Sequence, residues 1–496
     1  MLRLDELMEG RTHLTAEVLN ADKREITGIT CDSRQVEPGY LFAAIPGTQL
    51  DGRRFIPDAL ARGAIAVLGP PGTQAGADHP DVSIITDDDP RRLYALMAAR
   101  FFELQPKSIA AVTGTSGKTS TAHFLRQIWN RIGLPAASMG TIGLAANSPD
   151  GKGILPADDK ALTTPDAADL HRQLRTLVEI GVQHLAMEAS SHGLDQRRLD
   201  GVRITAAAFT NLSHDHLDYH KSEDAYLQAK LRLFRELVVS GGTAVVNAEQ
   251  PYAEAVVGAS RARGLPVLRF GEHGDRIRLV SRVPHANGQD IVLDVDGATH
   301  QIALPLVGSF QASNAMCALG LAIVSGAMPD AAVNALAGLK GAPGRMELVG
   351  ASATGAAVYV DYAHKPDALS AALRALRPHT SGKLAVVFGC GGDRDRAKRP
   401  VMGRIAIEHA DRVFVTDDNP RSEDPAAIRQ EIMRACPDAV EIGDRRAAIG
   451  VAFESLHQGD VLLVAGKGHE TGQIVGDQTL PFNDADEIRK LIGGGA

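Results

Sequence analysis

Short apolar runs alternate along the chain with stretches in which apolar residues recur every three or four positions. The clearest runs are 41–45, 64–68, 109–112, 384–388 and 461–464. Runs of this length between glycines predict buried strands, and the amphipathic stretches between them predict helices. Further runs at 358–360 and 413–415 extend the pattern toward the C-terminus. Strands that alternate with helices favour an α/β fold with mainly parallel sheets.

The run 109–112 leads into a glycine-containing loop and then into an amphipathic helix. The helix has one apolar face, formed by Phe124, Leu125, Ile128, Trp129 and Ile132. A strand, a glycine loop and a helix N-terminus in this order bind phosphate groups through backbone N–H groups and the helix dipole. The loop residues predicted to bind the phosphates of a nucleoside triphosphate are Gly114, Thr115, Ser116, Gly117, Lys118, Thr119 and Ser120.

This loop differs from the common P-loop, because the position that should hold its first glycine is Val112. A conventional P-loop kinase is therefore disfavoured. A glycine turn with an exposed lysine is the simpler alternative. The strand before the loop and the amphipathic helix after it argue for nucleotide binding instead.

Clusters of polar residues directly follow six of the apolar runs. They are Glu188 and the segments 211–220, 361–365, 389–396, 417–421 and 466–470. Ligands of open parallel sheets bind beyond the carboxyl ends of the strands. These clusters and the phosphate loop therefore predict a large site that two sheets share.

Lys230 interrupts the apolar stripe of a helix that Ser222 is predicted to cap. One interpretation is a lysine that extends its amine to solvent from the edge of the stripe. The other is a lysine directed at a charged site, where burial changes its chemistry. The residues alone favour neither.

Other polar residues suggest a cation site and a carboxylate site. Segment 211–220, with Glu188 and Thr119, could supply oxygen and imidazole ligands to Mg²⁺, although the segment taken alone favours a solvated polar loop. Arg394 and Arg421 each follow a strand, and a guanidinium can grip a carboxylate with two hydrogen bonds. A surface ion pair and an ordinary Asn-Pro turn are the alternatives.

The composition limits the class of protein. A chain of 496 residues predicts about three domains, which we place at 1–94, 95–342 and 343–496. The chain is 44% hydrophobic and has no apolar run long enough to span a membrane. Its first residues lack the basic segment and apolar core of a signal peptide, so we expect a cytoplasmic protein with no membrane segment. Four scattered cysteines predict reduced thiols, and a net charge of −8 argues against nucleic acid as the main partner. We expect a monomer.

Together these motifs resemble the Mur ligase family of ATP-dependent amide-forming enzymes. The resemblance covers nearly the whole chain. It rests on the segments 31–42, 47–53, 114–120, 162–165, 187–194, 215–218, 225–230, 343–345, 361–367, 418–421 and 466–470, together with Asn314.

The resemblance implies three α/β domains: a small N-terminal domain for the UDP-sugar, a central P-loop-like ATPase domain with a mainly parallel sheet, and a C-terminal Rossmann-like domain for the amino acid. Asn314, Arg345 and Asp361 would complete the ATP site. The UDP-MurNAc-dipeptide would be bound by Cys31, Ser33, Thr48, Gln49, Leu50, Thr163, Thr164, Ser190, Gln196 and Arg198.

The implied reaction adds meso-diaminopimelate to UDP-MurNAc-L-Ala-D-Glu through an acyl phosphate, in the synthesis of peptidoglycan precursors. Diaminopimelate would be held by Arg394, Asp418, Asn419, Pro420, Arg421, Gly466 and Glu470. Lys118, Lys230, His216 and Glu188 would be catalytic. Thr119, Glu188, His216 and Lys230 would bind Mg²⁺, with Lys230 as a carbamate (N6-carboxylysine).

Three alternatives remain. The lysine-adding branch of the family lacks the arginine of Asp-Asn-Pro-Arg. A folylpolyglutamate synthetase-like ligase shares the central domain, but the early Asp-Ser-Arg segment at 32–34 argues against it. A nucleotide-driven switch or scaffold would leave Lys230 and the late arginines without a role.

Overall fold

The computed structural model describes residues 2–8, 17–19, 24–47, 50–146, 162–213 and 215–493. The predicted ligands Thr48 and Gln49 lie outside these residues. Internal contacts divide the chain into two compact units. The first unit comprises residues 1–118, 133–246 and 250–267, and the second comprises 119–132, 247–249 and 268–496.

The strands in chain order are β1 (Leu2–Arg3), β2 (Glu17–Leu19), β3 (Glu25–Ile26), β4 (Gly28–Thr30), β5 (Tyr40–Ala43), β6 (Ala66–Gly69), β7 (Ser83–Thr86), β8 (Ser108–Thr113), β9 (Ala136–Gly140), β10 (Gly143–Ala146), β11 (His184–Glu188), β12 (Ile204–Phe209), β13 (Val238–Asn247), β14 (Val267–Gly271), β15 (Ile277–His285), β16 (Gly288–Val295), β17 (Ala298–Leu304), β18 (Glu347–Ala351), β19 (Ala357–Asp361), β20 (Leu384–Phe388), β21 (Arg412–Val415), β22 (Val440–Glu441), β23 (Val461–Ala465), β24 (Gly472–Val475) and β25 (Gln478–Pro481).

The α-helices are α1 (Leu4–Met8), α2 (Ile56–Ala61), α3 (Pro90–Phe102), α4 (Lys118–Arg131), α5 (Ala167–Glu179), α6 (Ser191–Asp195), α7 (Leu217–His220), α8 (Glu223–Arg232), α9 (Ala253–Arg261), α10 (Ser309–Val324), α11 (Pro329–Leu336), α12 (Pro366–Leu376), α13 (Lys398–His409), α14 (Pro425–Met433), α15 (Arg445–Glu454) and α16 (Asp484–Gly493). Short 3₁₀ segments lie at Ser33–Gln35, Gly52–Phe55 and Arg377–His379, and a π-helical turn lies at Leu233–Leu237.

The first unit contains two larger sheets and the two-stranded antiparallel pair β1–β3. The N-terminal sheet has the order β2-β7-β6-β5-β4 and is parallel except at β2, which pairs antiparallel with β7. In the other sheet β9, β11, β8, β12 and β13 run parallel, and β10 pairs antiparallel with β9. Parallel strands need cover on both faces, which explains why 109–112 is apolar at every position. The strands predicted at 41–45, 64–68 and 109–112 are confirmed.

The second unit contains a mainly parallel sheet of the order β18-β19-β23-β20-β21-β22, in which only the β18–β19 pair is antiparallel. It also contains a meander in which β15, β16 and β17 pair antiparallel. Phe124, Leu125, Ile128 and Trp129 of α4 are fully buried, as the apolar face predicts. The α/β class and the parallel arrangement are confirmed.

Two features bear on the predicted organisation. Helix α3 crosses position 94, so the boundary predicted there falls within a helix. The three-domain boundaries remain predictions. None of the described helices combines the length and the apolar character that crossing a bilayer requires.

Candidate functional site

The phosphate loop joins the carboxyl end of β8 to the first turn of α4. It is tied to the end of the neighbouring strand β12: Ser116 N–H donates to Asn211 Oδ1 (2.9 Å), and Asn211 Nδ2 donates to the Ser116 carbonyl (3.0 Å). The Thr210 hydroxyl donates to the same carbonyl (2.7 Å). A side chain at Gly114 would overlap the Thr210 hydroxyl, so glycine is required there. Asn211 is therefore a loop anchor and not part of a solvated polar loop.

Lys230 points into the protein, so the interpretation of a solvent-directed lysine is wrong. It is 1% exposed, its Nζ donates to the Gly114 carbonyl (2.8 Å), and it lies 4.2 Å from the ring centroid of Tyr226. Lys118 Nζ donates to the same Gly114 carbonyl (2.9 Å). Burial, and then the charge of Lys118, lower the pKa of Lys230 well below its usual value. Ser222 caps α8 as predicted, by accepting from Ala225 N–H (3.1 Å).

Glu188 lies at the carboxyl end of β11 and is 2% exposed. Its Oε1 accepts from Thr141 N–H (2.8 Å), and its Oε2 accepts from the Thr141 hydroxyl (3.2 Å). That hydroxyl is also 3.1 Å from the Thr163 hydroxyl. Thr141 therefore fixes the carboxylate, a role that the sequence analysis missed.

The predicted sugar-peptide ligands of the first unit come together. The Thr164 hydroxyl lies 3.0 Å from Ser190 Oγ and donates to the Glu188 carbonyl (3.0 Å). Arg198 donates from Nη1 to the Thr164 carbonyl (2.8 Å) and from Nη2 to Gln196 Oε1 (2.6 Å). One connected set of hydrogen bonds thus holds these side chains beside Glu188.

The predicted ligands of the N-terminal region are more dispersed. Cys31 Sγ donates to Asp166 Oδ2 (3.2 Å), and the Tyr94 hydroxyl donates to Asp166 Oδ1 (2.7 Å). Ser33 is buried in its 3₁₀ turn, whereas Leu50 is exposed. Cys31 is exposed, yet partial desolvation and then the charge of Asp166 raise the pKa of its thiol.

Rings of histidine and tyrosine pack around the predicted metal ligand His216. Its ring centroid is 4.9 Å from that of His192 and 6.1 Å from that of Tyr226. His220 also lies 5.1 Å from Tyr226, the residue that contacts Lys230. His216 itself is exposed and has a positive φ of 53°. Among the described residues, no three His, Cys, Asp or Glu side chains are grouped as a ready metal site.

The residues predicted to complete the ATP site meet in the second unit. Asn314 Nδ2 donates to Gln311 Oε1 (3.1 Å), and Gln311 Nε2 donates to the Arg345 carbonyl (3.2 Å). Asp361 Oδ2 accepts from the backbone N–H of Met346, the residue after Arg345 (2.7 Å). Burial raises the pKa of Asp361, and Arg345 opposes that shift. The buried Nε of Arg345 has no hydrogen-bond partner in the described structure, so a donor remains available there.

The predicted amino-acid ligands lie at the carboxyl ends of β20, β21 and β23. Arg421 has a positive φ of 53°, and its Nη1 donates to the carbonyls of Gly392 (2.9 Å) and Asn419 (3.3 Å). Asp418 is 8% exposed, and a side chain at Gly466 would come within 2.6 Å of its Oδ2. Arg394 is exposed and donates to the Asp393 carbonyl (3.0 Å).

Lys467 and Gln473 are two residues of this site that the sequence analysis missed. Lys467 is fully buried, and its Nζ donates to Asn419 Oδ1 (3.1 Å) and Glu470 Oε2 (3.0 Å). Gln473 Nε2 donates to the Asp418 carbonyl (2.7 Å). A lysine between two glycines, directly after the buried strand β23, was the available signal for Lys467.

Two buried arginines, Arg399 and Arg445, bond to the loops of this site and connect them. Arg399 donates to Glu423, Glu431 and the Gly391 carbonyl, and Glu423 in turn accepts from Asp393 N–H (2.6 Å). Arg445 makes two 2.7 Å bonds to Asp484 and donates to the Ala465 carbonyl (3.0 Å) at the end of β23. These pairs connect the segments that carry Arg394, Arg421 and Gly466.

The chain is similar to known proteins over most of its length. Three family models match: Mur ligase family, catalytic domain (residues 25–102), Mur ligase middle domain (112–322), and Mur ligase, glutamate ligase domain (344–468). The chain is 53% identical over 470 residues to the UDP-N-acetylmuramoyl-L-alanyl-D-glutamate–2,6-diaminopimelate ligase of Mesorhizobium japonicum, covering 94% of this chain and 95% of that protein.

Two solved structures are similar as well. A UDP-N-acetylmuramoyl-L-alanyl-D-glutamate–2,6-diaminopimelate ligase superimposes with a TM-score of 0.72 at 33% identity, covering 96% of this chain and 97% of that one. The folylpolyglutamate synthase of Mycobacterium tuberculosis, complexed with ADP and AMPPCP, has a TM-score of 0.63 at 21% identity, covering 82% and 95%. The second likeness concerns the fold alone.

Proposed function

This chain belongs to the Mur ligase family, and on that basis we propose that it adds meso-diaminopimelate to UDP-MurNAc-L-Ala-D-Glu at the expense of ATP. The product is the tripeptide nucleotide that peptidoglycan synthesis uses in the cytoplasm. The observation that carries the choice of amino acid is Arg421, which hydrogen bonds to the carbonyls of Gly392 and Asn419 hold in the loop after β21. A guanidinium suits the second carboxylate of diaminopimelate, which lysine lacks.

In the reaction, the D-glutamate carboxylate attacks the γ-phosphorus of ATP, and ADP leaves as the acyl phosphate forms. The diaminopimelate amine then attacks the acyl carbon, and phosphate leaves from the tetrahedral intermediate. The contribution of the protein is mainly positioning and charge stabilisation. Lys118 and the backbone N–H groups of 114–118 face the phosphates, and Asn314, Arg345 and Asp361 bind the remainder of the nucleotide.

We assign the binding of the dipeptide part of the uridine nucleotide to Thr163, Thr164, Ser190, Gln196 and Arg198. The hydrogen bonds among these residues support the assignment, because they fix five polar side chains beside Glu188. Burial lowers the pKa of Arg198, which nevertheless stays a cation at neutral pH. It is therefore suited to an anionic substrate.

We propose that Lys230 reacts with CO₂ to form a carbamate. An amine attacks CO₂ only in its neutral form, and burial beside Lys118 favours that form. The carbamate would replace a positive group by a negative one next to Lys118 and would remove the competition of two ammonium groups for the Gly114 carbonyl. It would also supply an oxygen ligand of the type that Mg²⁺ prefers.

Glu188, His216 and Lys230 of the first unit fit Mg²⁺ if Lys230 is a carbamate. With Lys230 unmodified, its ammonium would repel the ion, whereas Glu188 provides a buried carboxylate that Thr141 holds in place. We assign the ion to Glu188, His216, the Lys230 carbamate and Thr119. When bound, it neutralises phosphate charge during transfer.

A competition between amino acids tests the proposal. The purified protein is given ATP, Mg²⁺ and UDP-MurNAc-L-Ala-D-Glu with either meso-diaminopimelate or L-lysine, and the nucleotide product and ADP are quantified. We expect tripeptide formation with diaminopimelate and little with lysine. Equal turnover of both would refute the role of Arg421. ADP release that is independent of either amino acid would refute the ligase itself, and turnover of tetrahydrofolate with glutamate would favour the folylpolyglutamate synthetase alternative.

A further inference from the structure

A cavity of about 550 Å³ lies in the first unit, lined by residues that the proposed reaction does not use. Its lining includes the four arginines Arg92, Arg197, Arg235 and Arg263, against the two carboxylates Asp200 and Glu236. Its size falls within the range of small-molecule sites. So many guanidiniums in one concave surface are unusual for a chain whose net charge is −8.

The two carboxylates of the cavity are already shared among several arginines. Arg197 lies 2.8 Å from Glu236 and 3.7 Å from Asp200, and it also contacts Asp89 at 3.1 Å. Arg232, which is 8% exposed, contacts Asp200 and lies 2.9 Å from Glu236. Arg92 is 3.8 Å from Asp200. The three acids Asp89, Asp200 and Glu236 are therefore matched in number by Arg92, Arg197 and the buried Arg232.

Arg235 and Arg263 have no such compensation. Arg235 Nη1 donates to the neutral Gln228 Oε1 (2.6 Å), and Arg263 donates to the backbone carbonyls of Arg235 and Val238. Among the described residues, neither guanidinium has a carboxylate within ion-pair distance. Two positive charges thus line the cavity without a counter-charge. Both side chains are exposed, and an anion with more than one negative charge would supply the missing partner of both guanidiniums.

We propose that this cavity binds a small phosphoanion, such as inorganic phosphate, pyrophosphate or a phosphate monoester. Guanidiniums donate several parallel hydrogen bonds, which match the oxygens of a phosphate group. A cavity of about 550 Å³ has room for an ion of this size. The site differs from the phosphate loop, because none of its lining residues belongs to segment 114–120.

Direct binding tests the proposal. The phosphate loop would also take up pyrophosphate, so the measurement uses Lys118→Ala protein. Equilibrium dialysis with labelled pyrophosphate, at ionic strength held constant with KCl, should then give about one equivalent bound. Adding Arg235→Gln and Arg263→Gln should weaken this binding at least tenfold.

Arg374→Gln with Arg434→Gln is the matched control. It removes two exposed arginines that are absent from the cavity lining, and it should leave the affinity unchanged. If the double variant at 235 and 263 does not fold, Arg235→Gln alone serves, since that side chain is exposed and bonds only to Gln228. This single change should weaken binding at least threefold.

Parallel titrations with inorganic phosphate and glycerol 3-phosphate identify the source of the anion. Tighter binding of phosphate points to the reaction product, and tighter binding of the ester points to a phosphorylated metabolite. Absence of saturable binding of all three anions would overturn the proposal. Equal loss of affinity in the control variant would overturn it too, because the effect would then come from net charge and not from this cavity.

Discussion

Replacing Arg421 by glutamine tests the proposed choice of amino acid most directly. In the structure one nitrogen of its guanidinium, Nη1, bonds to the carbonyls of Gly392 and Asn419, which leaves Nε and Nη2 for a ligand. A charged hydrogen-bonding pair contributes about 1.5–3 kcal/mol, so we expect the KM for diaminopimelate to rise roughly 10- to 100-fold. The KM for ATP should change little, because we assign Arg421 to the amino-acid site and not to the ATP site.

The assay measures ADP formation at saturating ATP and uridine nucleotide while diaminopimelate is varied. Arg421→Lys keeps the positive charge but loses the planar guanidinium that donates two parallel hydrogen bonds. Its KM for diaminopimelate should therefore lie between those of the parent protein and the glutamine variant. Arg446→Gln is the control, since that side chain is mostly exposed and pairs with Glu487. An unchanged KM for diaminopimelate in the Arg421→Gln protein would refute the guanidinium argument. So would an equal rise in the KM for lysine.

Four further outcomes are expected. Lys230→Ala should abolish turnover, and short carboxylates should partly restore it. The parent protein labelled with ¹³C-bicarbonate should show an NMR signal of the carbamate carbon, which the variant should lack. Normal turnover of the variant would refute the carbamate. Asn211→Ala removes both side-chain bonds to Ser116, so the KM for ATP should rise about tenfold, as expected from the loss of about 1.4 kcal/mol in loop positioning. Asp484→Asn should lower the free energy of unfolding in urea by about 3–5 kcal/mol because it strands the fully buried Arg445, whereas the exposed Asp438→Asn should not. Burial lowers the pKa of His171 to about 4 from 6.5. Between these two pH values the unfolded chain binds a proton that the folded chain does not, so the free energy of unfolding should fall as the pH drops from about 6.5 toward 4. His171→Gln should reduce this dependence of the free energy of unfolding on pH.

Much of the fold followed from the sequence because buried parallel strands leave a strong local pattern. The run 384–388 coincides with β20, and the runs at 109–112 and 461–464 each fall inside a strand that is only slightly longer. The placement of polar residues at the carboxyl ends of these strands was likewise predictable, since a parallel sheet brings such ends to one edge. Boundaries were less certain, as α3 shows at position 94.

The supporting contacts could not be predicted, because they join residues far apart in the chain. Thr141 fixes Glu188 across 47 positions, and Gln473 reaches Asp418 across 55 positions. Neither residue type is unusual in its own segment. The fully buried Arg399 and Arg445 were missed for a related reason: a charged residue near a helix N-terminus normally indicates solvent exposure, and only the tertiary structure supplies their carboxylate partners.

The position of Lys230 links the local sequence to the chemistry. On α8 it occupies a place in an apolar stripe where leucine or alanine would pack at a lower desolvation cost. Its amine shares one carbonyl, that of Gly114, with the lysine of the phosphate loop, and it lies against the Tyr226 ring. Two ammonium groups on one acceptor are unfavourable, and a neutral amine there makes only one hydrogen bond. A carbamate removes the repulsion, attracts Lys118 and provides oxygen ligands for a cation. These contacts support the proposal that the buried lysine is the precursor of an anionic ligand.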